Sequence, residues 1–280
     1  MRDIDCKPII EGVRTACIQA CTSLPDDVMD ALKGAREAEE SPVGVDVIDQ
    51  LIENADIARR EDVPICQDTG FAIVFVELGQ DAHVVGGDLY EAINEGVRQG
   101  YQDGYLRKSI ARHPLDRVNT RDNTPAVIHT SIVPGDGVRI TVAPKGAGSE
   151  NMSVVKALKP ADGIEGVTKL VVDTVVQAGP NPCPPLVVGV GIGGTLEKAA
   201  ILSKKAICRD IGSKSDKPTD AQLETSLLEA VNATGVGPSG FGGRVTALAV
   251  HVESYPCHIA SLPVAVTLQC HAARHKSFEV

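Results

Sequence analysis

The sequence predicts a mixed α/β fold of the α+β kind: N-terminal helices, then a mixed sheet with an antiparallel hairpin and packed helices. Three observations predict it. Apolar residues recur at helical spacing in the first third, as in Val45, Ile48, Leu51, Ile52 and Ala55. Later runs such as Phe71-Ala72-Ile73-Val74-Phe75-Val76 are short, apolar and bounded by Gly or Pro, which reads as buried strand. Pro134-Gly135-Asp136-Gly137 sits between two such runs, so antiparallel pairing is expected as well as parallel crossovers.

In order along the chain, Pro25-Asp26-Asp27 opens a helix, because Pro suits the first turn and acids complement the positive helix end. The Val45–Ala55 helix follows and Pro64 breaks it. Cys66 to Gly70 is a loop, and 71–76 a strand. Leu89, Ala92, Ile93 and Val97 make an amphipathic helix that Gly100 is expected to end. Residues 127–133 and 138–142 read as the two arms of the hairpin, and the Lys145–Asn151 loop follows directly. A helix from Glu165 to Ala178 leads to the Cys183 loop and a strand at 186–190. Helices at 195–206 and 221–233 flank a polar linker, Ser213 to Pro218, and strands at 245–252 and 263–268 finish the chain. No repeat, low-complexity tract or compositional break marks a boundary, so one domain over 1–280 is expected.

Composition narrows the function classes. Only 3% of the residues are aromatic and none is Trp, so the core rests on aliphatic packing and offers little to stack on nucleic-acid bases. A formal charge of −10 repels nucleic acid and acidic membranes, and neither is expected as a partner. An anionic substrate would need a local basic pocket. No apolar run is long enough to span a membrane, and the mixed-charge start lacks the core of a secretory signal. Eight cysteines in that setting read as reduced thiols of a cytoplasmic protein.

Three of those cysteines have particular surroundings: Cys66 in Cys-Gln-Asp-Thr-Gly, Cys183 in Asn-Pro-Cys-Pro-Pro, and Cys270 at the end of an apolar run and before His271-Ala272-Ala273-Arg274. Three thiolates from distant loops can hold three irons of a cubane cluster and leave the fourth open as a Lewis acid. Gaps of 117 and 87 residues form no local metal signature, and scattered cysteines are often small buried hydrophobes, so spacing leaves both readings open. Asp68 could move a proton or simply make a turn with Thr69 and Gly70. Arg107 could fork onto a carboxylate or lie solvated beside Lys108. The Gly146–Gly148 loop could aim N–H groups at an anion or be a tight turn. His258 could be catalytic or structural. Gly189-Val190-Gly191-Ile192-Gly193-Gly194, with Asp210 beyond it, fits the dinucleotide fingerprint, although only one good βα unit surrounds it.

Five motifs in register decide more than any one of them. Cys66–Gly70, Lys145–Asn151, Cys183-Pro184-Pro185, Gly191–Thr195 and the His258…Cys270 segment together resemble the N-terminal part of class I, iron–sulfur fumarate hydratases and their tartrate dehydratase relatives, from about residue 10 to the end. The resemblance implies a [4Fe-4S] cluster on Cys66, Cys183 and Cys270, and places the ligand at Cys270 rather than Cys257. It implies a small dicarboxylate substrate touched by Gln67, Asp68, Arg107, Gly148 and His258, with Asp68 and His258 assisting catalysis. It accounts for the glycines of residues 189–194 as a strand–helix turn. Ser149-Glu150-Asn151 is closer to the fumarate hydratases, so interconversion of fumarate and (S)-malate, a tricarboxylic acid cycle step, is the expected reaction; tartrate dehydration or a non-catalytic iron–sulfur scaffold are the alternatives. Ala147 departs from the usual middle Gly. Longer single-chain relatives carry the carbon-proton base in a C-terminal domain, so this chain is expected to be an α subunit that pairs with a β subunit.

Overall fold

A computed structural model describes all 280 residues. They form two compact units, each assembled from separated stretches of chain: unit 1 is residues 1–24, 55–146 and 274–280, and unit 2 is residues 25–54 and 147–273. This interleaving explains why no shift in composition marks a boundary.

Unit 1 contains β1 (Arg2–Asp5), α1 (Cys6–Thr22), β2 (Phe71–Gly79), β3 (Ala82–Val85), α4 (Leu89–Asp103), β4 (Val127–Val133), β5 (Val138–Lys145) and β10 (Lys276–Glu279). Its main sheet runs β10-β5-β2-β4, and β1 pairs with β3 in a small parallel ribbon. The 127–142 hairpin is not formed. β4 lies parallel to one edge of β2 and β5 antiparallel to the other, so β2 separates the two expected arms. The Pro134–Gly137 turn instead closes over the end of β2, whose Gly79 and Asp81 N–H groups donate to the carbonyls of Gly137 and Gly135. The apolar faces of α1 and α4 cover the sheet. Gly100 does not end α4, which continues to Asp103. A Cβ at Gly100 would come within 2.8 Å of Cys17 Cβ, and one at Gly96 within 2.6 Å of Val13 Cβ. These glycines let two helices touch backbone to backbone.

Unit 2 contains α2 (Asp26–Ala38), the first part of α3 (Pro42–Glu61), a single helical turn α5 (Ala147–Glu150), β6 (Val154–Leu158), α6 (Gly163–Ala178), β7 (Leu186–Gly193), α7 (Leu196–Ala206), α8 (Pro218–Asn232), β8 (Ala247–Tyr255) and β9 (Leu262–Gln269). The sheet order is β6-β9-β7-β8. β8 is parallel to β7, and β9 is antiparallel to it. β7 reads with a period of two. Leu186, Val188 and Val190 pack with α6 and α8, while Gly189 and Gly191 face α7. A Cβ on Gly191 would lie 2.0 Å from Ala199 O and one on Gly189 2.1 Å from Ser203 O, so α7 rests directly on the strand backbone. The fingerprint-like glycines therefore serve helix–strand contact. No helix is long and apolar enough to cross a membrane.

Candidate active site

In unit 1 the Cys66–Gly70 loop is held from several sides. Gly70 adopts φ +70°, and a Cβ there would sit 2.4 Å from the Lys145 carbonyl carbon, so only Gly fits. Its N–H donates to Asp68 Oδ1 at 2.9 Å, a turn that fixes the carboxylate. The second carboxylate oxygen faces Gly146, where a Cβ would stand 3.2 Å away. The Asp68 N–H donates to Cys66 Sγ at 3.4 Å, and the exposed Gln67 places its Oε1 3.3 Å from the same sulfur. Thr69 is buried and its hydroxyl donates to the Arg107 carbonyl at 3.2 Å, which brings the exposed Arg107 beside the loop.

Below the loop lie buried side chains, of which Arg274, Tyr101 and Asn123 carried no signal in the sequence. Arg274, 4% exposed, donates from Nη2 to the Asp68 carbonyl at 2.5 Å and from Nε to the Pro144 carbonyl at 3.5 Å. The Tyr101 hydroxyl lies 2.9 and 3.1 Å from the carbonyls of Thr69 and Gly70, and Asn123 donates to the latter. Lys145, first residue of its glycine loop, is 1% exposed with Nζ on the Gly146 carbonyl. Two buried cations thus flank one short loop in a chain of net −10. Burial pushes the nearby Cys21 thiol up to about 11 and Tyr101 well above its ordinary value.

In unit 2, Cys183 is exposed at φ 54° in the turn before β7. Its carbonyl accepts the His271 N–H at 3.3 Å and lies 3.1 Å from His271 Nδ1. That stitches the Cys183 turn to the segment leaving β9, which begins with the half-buried Cys270. His271 thus joins two candidate ligand loops. The antiparallel register of β7 and β9, with Val187 opposite Gln269, puts both cysteines at one end of the sheet. Gly148 is exposed in α5, and a Cβ there would be 3.3 Å from the Asn181 carbonyl, two residues before Cys183. In the same turn Ser149 is buried and the Glu150 carboxylate pairs with Lys204.

His258 is at the other end of that sheet. It follows β8 and precedes β9, whose eight residues separate it from Cys270 by roughly 23 Å at the usual strand rise. Its Nδ1 accepts the Ala260 N–H at 3.1 Å. With Cys257, Lys198 and Tyr255 it lines an open groove of about 960 Å³. Of the neighbouring candidates Cys257 and Cys270, only Cys270 adjoins Cys183.

None of the eight cysteines is in a disulfide. No three His, Cys, Asp or Glu side chains converge as a site for one metal ion. A cluster, whose thiolates bind different irons, does not require that convergence.

A family model described as fumarate hydratase (Fumerase) matches residues 10–279. A Methanocaldococcus jannaschii protein provisionally named L(+)-tartrate dehydratase subunit alpha is 43% identical over 274 residues, which cover 95% of this chain and 94% of its own. The L(+)-tartrate dehydratase subunit alpha of Escherichia coli K12 is 37% identical over 257 residues, 90% of this chain and 84% of its own. A match across nearly the whole chain, in a mixed α/β fold, identifies the protein as a member of the fumarate hydratase (Fumerase) family of class I hydro-lyases.

Proposed function

We propose that this chain is the α subunit of an iron–sulfur hydro-lyase that dehydrates L(+)-tartrate at a site completed by a β subunit. What carries the reading is the similarity to tartrate dehydratase α subunits over 90% or more of the chain. It displaces the fumarate and malate preference expected from Ser149-Glu150-Asn151. Glu150 is engaged by Lys204 and Ser149 is buried, so these side chains hold a helical turn and carry little substrate information. Fumarate–malate interconversion is the second reading, favoured by the description of the family model.

Cys66, Cys183 and Cys270 suit a [4Fe-4S] cluster. None is fully buried, and the Cys66 sulfur already accepts a backbone N–H, the kind of bond that tunes cluster sulfurs. Cys17, Cys21 and Cys208 do not suit it, because burial pushes their thiols up, to about 11 for Cys21 and about 12 for Cys208. Bound by Cys66, Cys183 and Cys270, the cluster supplies Lewis acidity toward the departing hydroxyl.

The residues of the chain then divide the remaining work. Arg107 forks onto one substrate carboxylate, and Gln67 and the Gly148 turn contact the other polar groups. Asp68, pinned by Gly70, orients the hydroxyl and takes or returns its proton. Loss of water from a 2,3-dihydroxy diacid leaves an enol, which becomes a 2-oxo diacid. No side chain here has a claim as base for the carbon-bound proton, and that role is assigned to the β subunit. His258 cannot reach the cluster end of its own chain, so its part in the reaction comes from a second copy.

The test is anaerobic reconstitution of the assembled αβ complex and comparison of kcat/KM for L(+)-tartrate and (S)-malate. A higher value for tartrate is expected. A preference for malate establishes the second reading, and dehydration of neither sinks both. Iron analysis of Cys270→Ser and Cys257→Ser complexes checks the cluster independently: the first should lose most of its iron and the second keep it.

A further inference from the structure

We infer that the basic excursion of unit 1, residues 108–121, is the seat for a carboxylate-rich surface of the partner subunit. The inference rests on the reading of the chain as an α subunit. Beyond Arg107, which the proposed function gives to the substrate, Lys108, Arg112, Arg117 and Arg121 place four cations within fourteen residues of a chain whose net charge is −10. Asp116 is the one acid among them, and none of the four cations takes part in an ion pair. The nearby Asp122 is already engaged by Arg98.

The segment is fixed in place. Arg112 N–H donates to Val118 O at 2.7 Å and Thr120 N–H to Ile110 O at 2.9 Å, which closes a short hairpin. Asn119 joins its two arms by donating to Lys108 O at 2.9 Å and accepting from Arg121 N–H at 2.6 Å. Asn123, fully buried, accepts the Ser109 N–H at 2.7 Å. The backbone that carries the cations therefore loses little further freedom on binding, which lowers the ordering cost of recognition to that of the side chains.

Two further features decide the occupant. At the tip Leu115 is 86% exposed, and at the base Tyr105 is 89% exposed, so apolar anchors stand among the arginines. Arg and Tyr flanked by an apolar side chain is the composition of a protein interface, and a four-carbon dianion held by Arg107 would use neither Leu115 nor four further cations. The hairpin base is also bonded to the candidate site loop, through Thr69 to the Arg107 carbonyl and Asn123 to the Gly70 carbonyl. A subunit seated here is held against the loop whose chemistry it must complete.

The test uses the αβ complex, with assembly measured by sedimentation at low and high salt. Arg112→Glu with Arg117→Glu should weaken assembly about tenfold or more at low salt, with the difference shrinking as salt screens it. Lys169→Glu, which reverses one charge at an exposed site on α6, should leave assembly unchanged. Arg112→Gln with Arg117→Gln, matched to wild type by thermal melting, guards against misfolding and should give a smaller loss of the same kind. Assembly as tight and as salt-insensitive as in Lys169→Glu overturns the proposal. So does intact assembly with a salt-dependent fall in kcat/KM, which would make the cations a substrate guide. Because assembly is read without substrate, a complex that assembles through this hairpin but dehydrates no diacid sinks the functional reading alone.

Discussion

Arg274 shows how one side chain can set the position of others. Its guanidinium spans two backbone segments, the Asp68 carbonyl before β2 and the Pro144 carbonyl at the end of β5. It does this from inside the protein, where an unpaired carbonyl is costly. A lysine would keep the charge but cannot fork across both acceptors. Arg274→Lys should therefore lower stability by about 1–3 kcal/mol. It should also reduce the iron retained by the anaerobically prepared complex, because the Cys66 loop loses its floor. Urea melts read the first effect and iron per chain the second. Full iron retention in a variant that is destabilised would show that Arg274 serves only the fold. Nothing in His271-Ala272-Ala273-Arg274 announces this role. A buried cation that bonds to backbone carbonyls has no periodicity and no partner residue type to search for.

The elements show what a local pattern does and does not carry. The strand read at 186–190 was legible in the sequence as a short apolar run, whereas its continuation to Gly193 and the reason for its glycines, contact with α7, are tertiary. The hairpin at 127–142 was not, since the Pro-Gly-Asp-Gly turn predicts a reversal but not that β2 will lie between the arms. Edge pieces such as β1, β3 and β10 are four residues each and too short for any period to show. The tie between α2 and the approach to β8 is likewise invisible in sequence. Glu39, at the end of α2, is buried, which alone would raise its carboxyl. The N–H groups of Ser41, Arg244, Val245 and Glu40 outweigh that and hold it below the ordinary 4.5. A folded value below the unfolded one means that the carboxylate stabilises the fold above about pH 4.5 and that this contribution fades as pH falls through the lowered value. Glu39→Gln should cost about 1–3 kcal/mol at neutral pH. It should also flatten the acid limb of stability below pH 4.5, so that wild type and variant converge in acid. A constant difference between them at all pH values would refute the electrostatic account.

At the scale of the whole molecule, the two ends of the unit 2 sheet set a constraint that no local motif states. Cys183 and Cys270 share one end, and His258 with its groove occupies the other. The twelve-residue spacing of His258 and Cys270 invited a single pocket, yet most of those twelve residues are extended strand, and extended strand separates its ends. A rigid sheet cannot fold back to join them, and a four-carbon diacid cannot bridge roughly 23 Å. On the proposed function, His258 would therefore act on the site of another copy in a symmetric assembly. Complementation tests it directly. Complexes carrying Cys270→Ser alone should be inactive for want of the cluster. Those carrying His258→Ala alone should be strongly impaired for want of the imidazole. Co-expression of the two α variants with the β subunit would produce mixed assemblies in which one site has both its cysteine and a wild-type His258 from the neighbour. With random pairing in twos, about a quarter of wild-type activity should return. No recovery from two singly inactive variants would place His258 in the site of its own chain and so require a different strand arrangement. Full activity of His258→Ala would remove it from the reaction altogether.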